Sequence, residues 1–227
     1  ISTKKRVAII GAGIAGLSCA GELKAHGFAV TLFDKSKGVG GRMSHRYFGD
    51  WEADHGAQYF TARDAGFKAQ VVRWEQAGAA APWPAAGDDA WVGTPGMNAL
   101  VRHWAQPLLD YGSLHLNVQV HRLARDSLTP QRWQVHAEGD SPAVWSGFDA
   151  VLLALPHVQA QQLLRQSSAM VVGHSLLDAM DPVRVAPCWT LMLAYPQASQ
   201  PSLAHLGPQW NAARSTHHRV AWLARES

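Results

Sequence analysis

The segment RVAIIGAGIAGLSCAGELKAHGFAVTLFD, residues 6–34, decides the fold. Arg6 to Ile10 is a short apolar run rich in β-branched residues, too short for a helix and suited to a strand buried on both faces. Gly11-Ala12-Gly13-Ile14-Ala15-Gly16 follows without a gap. Ile14 to His26 has the apolar spacing of a helix, and Gly27 is placed to stop it in the left-handed conformation. Ala29 to Phe33 is a second β-rich run and ends on Asp34. A strand, a GxGxxG turn, a helix, a strand and an acid within about 30 residues form the dinucleotide-binding unit. Gly11 permits the tight turn, Gly13 lets a pyrophosphate approach the backbone, and Gly16 lets helix and strand pack closely. The helix start offers free N–H groups and a positive dipole end. Asp34 is placed to accept hydrogen bonds from ribose hydroxyls, and its charge disfavours a 2′-phosphate at this site.

Lys35 to Met43 carries a second glycine pair, Gly40-Gly41, followed by Arg42. A Gly-Gly-Arg so soon after the ribose acid is foreign to a simple NAD dehydrogenase unit. It resembles FAD enzymes of the amine oxidase and glutathione reductase-like class, in which the glycines pass close to the cofactor and the arginine lies near the pyrophosphate. Gly-Gly-Arg-Met at 40–43, followed by Asp54-x-Gly-Ala-Gln-Tyr-Phe-Thr61, is similar to the renalase family, especially its bacterial members. Trp91 to Met97 resembles that family's return to the cofactor domain, and Asp149 to Pro156 its late strand beside the flavin.

The resemblance implies an FAD-dependent oxidase. Its implied substrates are isomers of reduced nicotinamide dinucleotides with the hydride on the wrong ring carbon, returned to NAD(P)⁺ while oxygen becomes hydrogen peroxide. It implies cofactor contacts along Gly11, Ala12, Gly13, Ile14, Ala15, Gly16, Asp34, Lys35, Gly41, Arg42, Met43, Ala57 and Pro156. It places Gln58 and Tyr59 beside the flavin ring and Val120 near the adenine through its backbone. Hydride donation from a dihydronicotinamide needs no catalytic acid or base, and none is assigned. The rival readings are a flavin amine oxidase with the same cofactor unit and a degenerate dinucleotide-binding protein without activity.

The expected architecture is α/β. An FAD-binding domain with a parallel central sheet and a β-meander (1–75 and 92–156) is interleaved with a smaller mixed-sheet substrate domain (76–91 and 157–227). Asp64 to Gly78 predicts an amphipathic helix with Phe67, Val71, Val72 and Trp74 on its apolar face, and Ala77 to Asp89 a loop. Met97–Leu109 and Val158–Arg165 predict helices. Strands are expected at Leu114–Val118, Val120–Ala124, Trp133–Ala137, Ala150–Leu155, Cys188–Tyr195 and Arg219–Ala224.

Composition narrows the classes. Of 227 residues 47% are apolar and only 16% charged, with a net charge of +3, so the chain is globular and carries no basic stripe for nucleic acid. Two cysteines form no disulfide framework, and a reducing, cytoplasmic setting is expected. Lys4-Lys5-Arg6 before an apolar stretch imitates a signal peptide, but Gly11, Gly13 and Gly16 interrupt it, and no run is long enough for a membrane span. Competing chemistries fail on spacing: His136-x-Glu138 lacks the Cys-x-x-Cys of a zinc deaminase, and His217-His218 would point to opposite faces of a strand. No metal site is expected. FAD enzymes of the resembled class close with a Gly-Asp motif and a helix whose N-terminus faces the flavin. Neither is found late in this sequence, so a fragment is expected, one that holds ADP but leaves the flavin ring loose.

Overall fold

The structure, a computed structural model, describes residues 4–138, 142–167, 174–194, 212–217 and 219–224. In chain order its first half comprises β1 (Arg6–Ile10), α1 (Ile14–Ala25), β2 (Ala29–Phe33), the hairpin β3 (His45–Phe48) and β4 (Trp51–Asp54), β5 (Phe60–Thr61), α2 (Ala65–Gln76), β6 (Ala80–Pro82), β7 (Ala90–Gly93) and α3 (Asn98–Asp110). The second half comprises β8 (Leu114–His115), β9 (Gln119–Arg125), β10 (Trp133–Glu138), β11 (Ala143–Phe148), β12 (Ala150–Leu153), α4 (His157–Gln166), a short helix His174–Met180, β13 (Ala212–Arg214) and β14 (Trp222–Ala224).

The chain divides into two compact units. The first takes Ile1–Gly41 and Trp104–Cys188, the second Arg42–His103 and Trp189–Ser227. These changeovers differ from the boundaries expected at 75/76, 91/92 and 156/157. Two packing partners explain the shift, because an apolar helix face does not declare its partner. Helix α2 spends its apolar face inside the second unit, where Trp74 packs edge-on against Phe60 and Phe67. Helix α4 belongs to the first unit, where its Leu163 joins the core with Leu123 of β9. Within α3, Pro107 has no N–H to give the carbonyl of His103, the residue at the changeover.

The first unit is built on a parallel sheet in the order β12-β1-β2-β8. Its register pairs Ile10 with both Phe33 and Leu153, so all three strands end on one line. Helix α1 ends as the sequence predicts: Gly27 has φ +84°, its N–H donates to Lys24, and Phe28 N–H donates to Leu23. This is the Schellman stop that a Cβ at Gly27 would strain. The antiparallel meander β11-β10-β9 adds a second layer. Ala8, Ile10, Phe33, Leu123, Val135, Phe148 and Leu163 form one buried core between them. Burying a side chain such as Phe33, fully enclosed here, contributes about 1.5–3 kcal/mol. The turn between β9 and β10 is closed by Asp126, whose carboxylate accepts from Leu128 and Thr129 N–H.

The second unit contains the hairpin β3–β4, the antiparallel sheet β5-β7-β6 and the pair β13–β14. The expected loop over 77–89 contains β6, whose Ala80 to Pro82 pair with β7. Val72 is 44% exposed and lies off the buried face of α2, which Val71 and Trp74 form. The strand expected at Cys188–Tyr195 does not form: residues 188–194 are irregular, and Trp189, Leu191 and Leu193 are exposed, with no strand partner among the described residues. Tyr195 lies outside the described residues. The strand expected at Arg219–Ala224 is confined to Trp222–Ala224, and that expected at Leu114–Val118 to Leu114–His115. No helix among the described residues is long and apolar enough to cross a membrane.

Candidate dinucleotide-binding site

Three glycines of the turn after β1 face three different surroundings. At Gly11, φ is +110° and an added Cβ would lie 2.5 Å from the Ala154 carbonyl oxygen. At Gly16 an added Cβ would lie 1.9 Å from the Gly11 carbonyl oxygen, so any side chain would drive α1 off the turn. At Gly13 the nearest atom to an added Cβ is the Gly40 carbonyl oxygen, 3.9 Å away. Gly11 and Gly16 are therefore fixed by the protein's own packing, whereas Gly13 faces open space. A side chain there would fill room that the fold leaves free.

The turn is held from two sides. Gly11 N–H donates to the Phe33 carbonyl, and Gly40 N–H donates to the Ala12 carbonyl. Gly13 and Gly40 form a parallel bridge, and a Cβ on Gly41, at φ +56°, would come within 3.5 Å of Gly13 Cα. The second glycine pair is thus laid along the first. Helix α1 begins at Ile14 with no side-chain cap and no acidic residue in its first turn. Its first N–H groups and dipole are left for an anion. Ile14 and Ala15 are exposed and Ala12 is fully buried.

Asp34 is more than a ribose acceptor in waiting. One carboxylate oxygen accepts the Ala12 N–H at 2.7 Å and the other accepts the Ser36 N–H at 2.8 Å. The side chain clips the end of β2 to the glycine turn. Each carboxylate oxygen keeps a further lone pair. His115 closes this end of the sheet: its carbonyl accepts the Asp34 N–H, and its ring stacks on Phe33 with centroids 5.2 Å apart. Burial lowers the His115 pKa from its ordinary value.

The remaining expected residues of the first unit divide. Pro156 caps α4 two residues beyond Ala154, whose carbonyl abuts Gly11. Lys35 and Gly41 are exposed. Val120 lies on the edge strand β9 beside a bulge, packed against the core. The glycine turn, Asp34, Gly40 and Pro156 gather at the carboxyl ends of β1, β2 and β12, where open α/β sheets take their ligands.

The second unit holds Arg42, Met43, Ala57, Gln58 and Tyr59. Ala57 N–H donates to the Arg42 carbonyl, and a Cβ on Gly56 would lie 2.1 Å from that oxygen. This contact fixes the turn that presents Gln58 and Tyr59. Arg42 is exposed and Met43 buried. The Gln58 side-chain oxygen accepts the Trp222 indole N–H. Tyr59 stacks on Trp222 at 5.7 Å and 25° and tilts against Trp83 at 5.4 Å. Sequence reading missed Trp83 and Trp222, because nothing local marks either as a partner of residues 58–59.

Behind this turn a buried His45 bonds Asp54 through Nδ1 at 2.8 Å and faces Glu52 through Nε2 at 3.3 Å. Asp54 also accepts the Met97 N–H. A Cβ on Gly96 would lie 2.6 Å from the His45 ring. Burial of the ring opposes protonation, but the two carboxylates outweigh it and raise the His45 pKa above its ordinary value. No group of three or more His, Cys, Asp or Glu arranged to hold a metal ion occurs among the described residues.

Residues 9–71 match the model of the NAD(P)-binding Rossmann-like domain. A stretch of 38 residues is 53% identical to a 4,4'-diapophytoene desaturase (4,4'-diaponeurosporene-forming) of Staphylococcus haemolyticus, covering 17% of this chain and 8% of that protein. A stretch of 42 residues is 50% identical to the mitochondrial protoporphyrinogen oxidase of Nicotiana tabacum, covering 18% of this chain and 8% of that protein. The matched stretch thus spans less than a tenth of either relative's length. A solved structure of an oxidized steroid monooxygenase bound to NADP aligns over 67% of this chain and 26% of that one, with 20% identity and a TM-score of 0.43. The fold is α/β, with a parallel sheet and a Rossmann-like domain.

Proposed function

We propose that the protein is an FAD-dependent oxidoreductase whose first unit receives the ADP half of the cofactor. The observation that carries this reading is the open face at Gly13 between two glycines that the fold itself occupies. The pyrophosphate would lie over Gly13 and the start of α1, and the adenosine ribose beside Asp34. Gly40 and Gly41 lie against Gly13, and on the resemblance the second glycine pair favours FAD over a plain NAD site. Lys35, Arg42, Met43, Ala57, Val120 and Pro156 are further contacts on the resemblance alone. Two relatives similar over short stretches of the chain are a desaturase and an oxidase.

The finer reading is an oxidase resembling renalase. Its substrate is an isomer of a reduced nicotinamide dinucleotide, its product NAD(P)⁺, and its electron acceptor molecular oxygen, which leaves as hydrogen peroxide. The flavin supplies hydride acceptance and transfer of electrons to oxygen. The residues of this chain bind, orient and shield. On the resemblance, Gln58 and Tyr59 of the second unit lie beside the flavin ring.

Two measurements test the reading. Purified protein, with FAD supplied, shows flavin absorbance after desalting. Isomeric NADH then bleaches the flavin anaerobically and releases peroxide in air. Peroxide from amines instead would establish a flavin amine oxidase. Absence of bound flavin, with ADP also unbound, would leave a degenerate domain.

A further inference from the structure

We infer that Tyr59, Trp83 and Trp222 form a platform for a planar heteroaromatic ring, with the Gln58 amide donating to an acceptor on the ring's edge. The inference rests on the nicotinamide reading above and assigns the residues that recognise the substrate's carboxamide-bearing ring.

Two aromatic clusters of the second unit differ in a way that marks one of them. Trp74 is fully buried, and its contacts with Phe60 and Phe67 are edge-on, at 79° and 85°. Edge-to-face contact with complete burial is core packing. Tyr59, Trp83 and Trp222 each keep part of their surface in solvent, and the Tyr59–Trp222 pair is nearly parallel at 25°. Stacked rings that retain exposed area offer a face to a further ring.

The three rings come from separately anchored segments. Tyr59 follows the turn fixed by the Ala57 N–H to Arg42 carbonyl bond. Trp83 is tied through its N–H to the Ala90 carbonyl at 2.8 Å. Trp222 opens β14, paired through Arg214 of β13. Rings held by backbone lose little freedom when a ligand arrives, which favours binding.

Polarity then narrows the ligand. The Gln58 oxygen is occupied by the Trp222 indole N–H, which fixes the amide's orientation. What Gln58 has left to offer is its NH₂, a donor, and one further lone pair on its oxygen. None of the four side chains carries a charge. The set suits a flat ring with a hydrogen-bond acceptor on its rim. A carboxamide-bearing pyridine or dihydropyridine ring has this form.

The test uses the full chain supplied with FAD and labelled at its tryptophan indole nitrogens. The Trp83 and Trp222 signals are assigned from Trp83→Phe and Trp222→Phe. The probes are 1-methylnicotinamide and N-methylpyridinium, which share ring and charge but differ in the carboxamide. Expected is saturable movement of both signals with 1-methylnicotinamide, and binding of N-methylpyridinium weaker by about 2–10-fold, one hydrogen bond's worth. Gln58→Leu abolishes that difference, and Trp83→Ala weakens both probes by about 5–100-fold. Should a tryptophan variant fail to fold, Gln58→Leu with the paired probes decides alone. Unmoved Trp83 and Trp222 signals, or an equal response to the two probes in the unaltered chain, overturn the platform. The oxidase reading is judged separately. Flavin bleached by isomeric NADH with the indole signals still removes the platform and keeps the oxidase; moving signals without bleaching do the reverse.

Discussion

The glycine turn of the first unit and the aromatic set of the second are assembled in opposite ways. Every part of the turn lies between Gly11 and Gly41 except the Ala154 carbonyl and Pro156, and each residue's task is local: a positive φ, a close approach, a clip from Asp34 to Ala12. The aromatic set joins Gln58 to Trp222 across 164 residues. A site built from neighbours is written in spacing, whereas a site built by strand pairing is not. The parallel sheet, both ends of α1, the meander and α3 could therefore be read from residues, and Trp83 and Trp222 could not. The exposed alternation at Trp189, Leu191 and Leu193 shows the same limit from the other side. Period two marks a strand only where a partner offers its hydrogen bonds, and none does so among the described residues. The sequence points to a ribose contact for Asp34 but not to its two backbone acceptor bonds, because both depend on how the turn closes.

The largest effect that would sharpen this contrast is expected at Gly16. Gly16→Val places a side chain 1.9 Å from the Gly11 carbonyl oxygen and displaces α1 from β1. A loss of more than about 4 kcal/mol in urea unfolding, or no folded protein, is expected. A variant of near-normal stability would show that the turn yields and that glycine is not required by packing.

Asp34→Ala follows. It removes the acceptor of two backbone N–H groups and leaves the N–H of the buried Ala12 unsatisfied. The expected cost is about 1.5–3 kcal/mol of stability, together with weakened ADP binding. Unchanged stability with weakened ADP binding would make Asp34 a ligand contact alone; the reverse would make it a clip alone.

Two histidines, His45 of the second unit and His115 of the first, should act with opposite sign. His45, with its pKa raised by Asp54 and Glu52 against the effect of burial, contributes stability that is complete below its unfolded pKa near ~6.5 and is lost as pH rises through its higher folded pKa. His115, with its pKa lowered by burial, acts in the other direction. Between its folded pKa and ~6.5 the unfolded chain binds more protons, so stability rises with pH across that window. Urea stability from pH 5 to 9 for His45→Gln and His115→Phe checks both. Each variant should flatten its own limb of the profile and leave the other. Two variants that flatten the same limb would refute the assignment of opposite shifts.

Smaller still is the effect expected of Trp222→Phe on stability. Tyr59 keeps a ring to stack on and only the indole bond to Gln58 is lost, about 0.5–1.5 kcal/mol. A much larger loss by thermal unfolding would place the aromatic set in the core and weaken the contrast between the two clusters of the second unit.

If the cofactor's pyrophosphate lies over Gly13, a side chain at that position must cost affinity and spare the fold. Calorimetric titration of ADP, and then of FAD, into the unaltered chain and into Gly13→Val tests it most directly. The account predicts saturable ADP binding by the unaltered chain. It predicts affinity weakened by about 30–100-fold in the variant, equivalent to about 2–3 kcal/mol, with thermal stability retained because the nearest atom to the new Cβ is 3.9 Å away. ADP and FAD bound equally well by both proteins would contradict it.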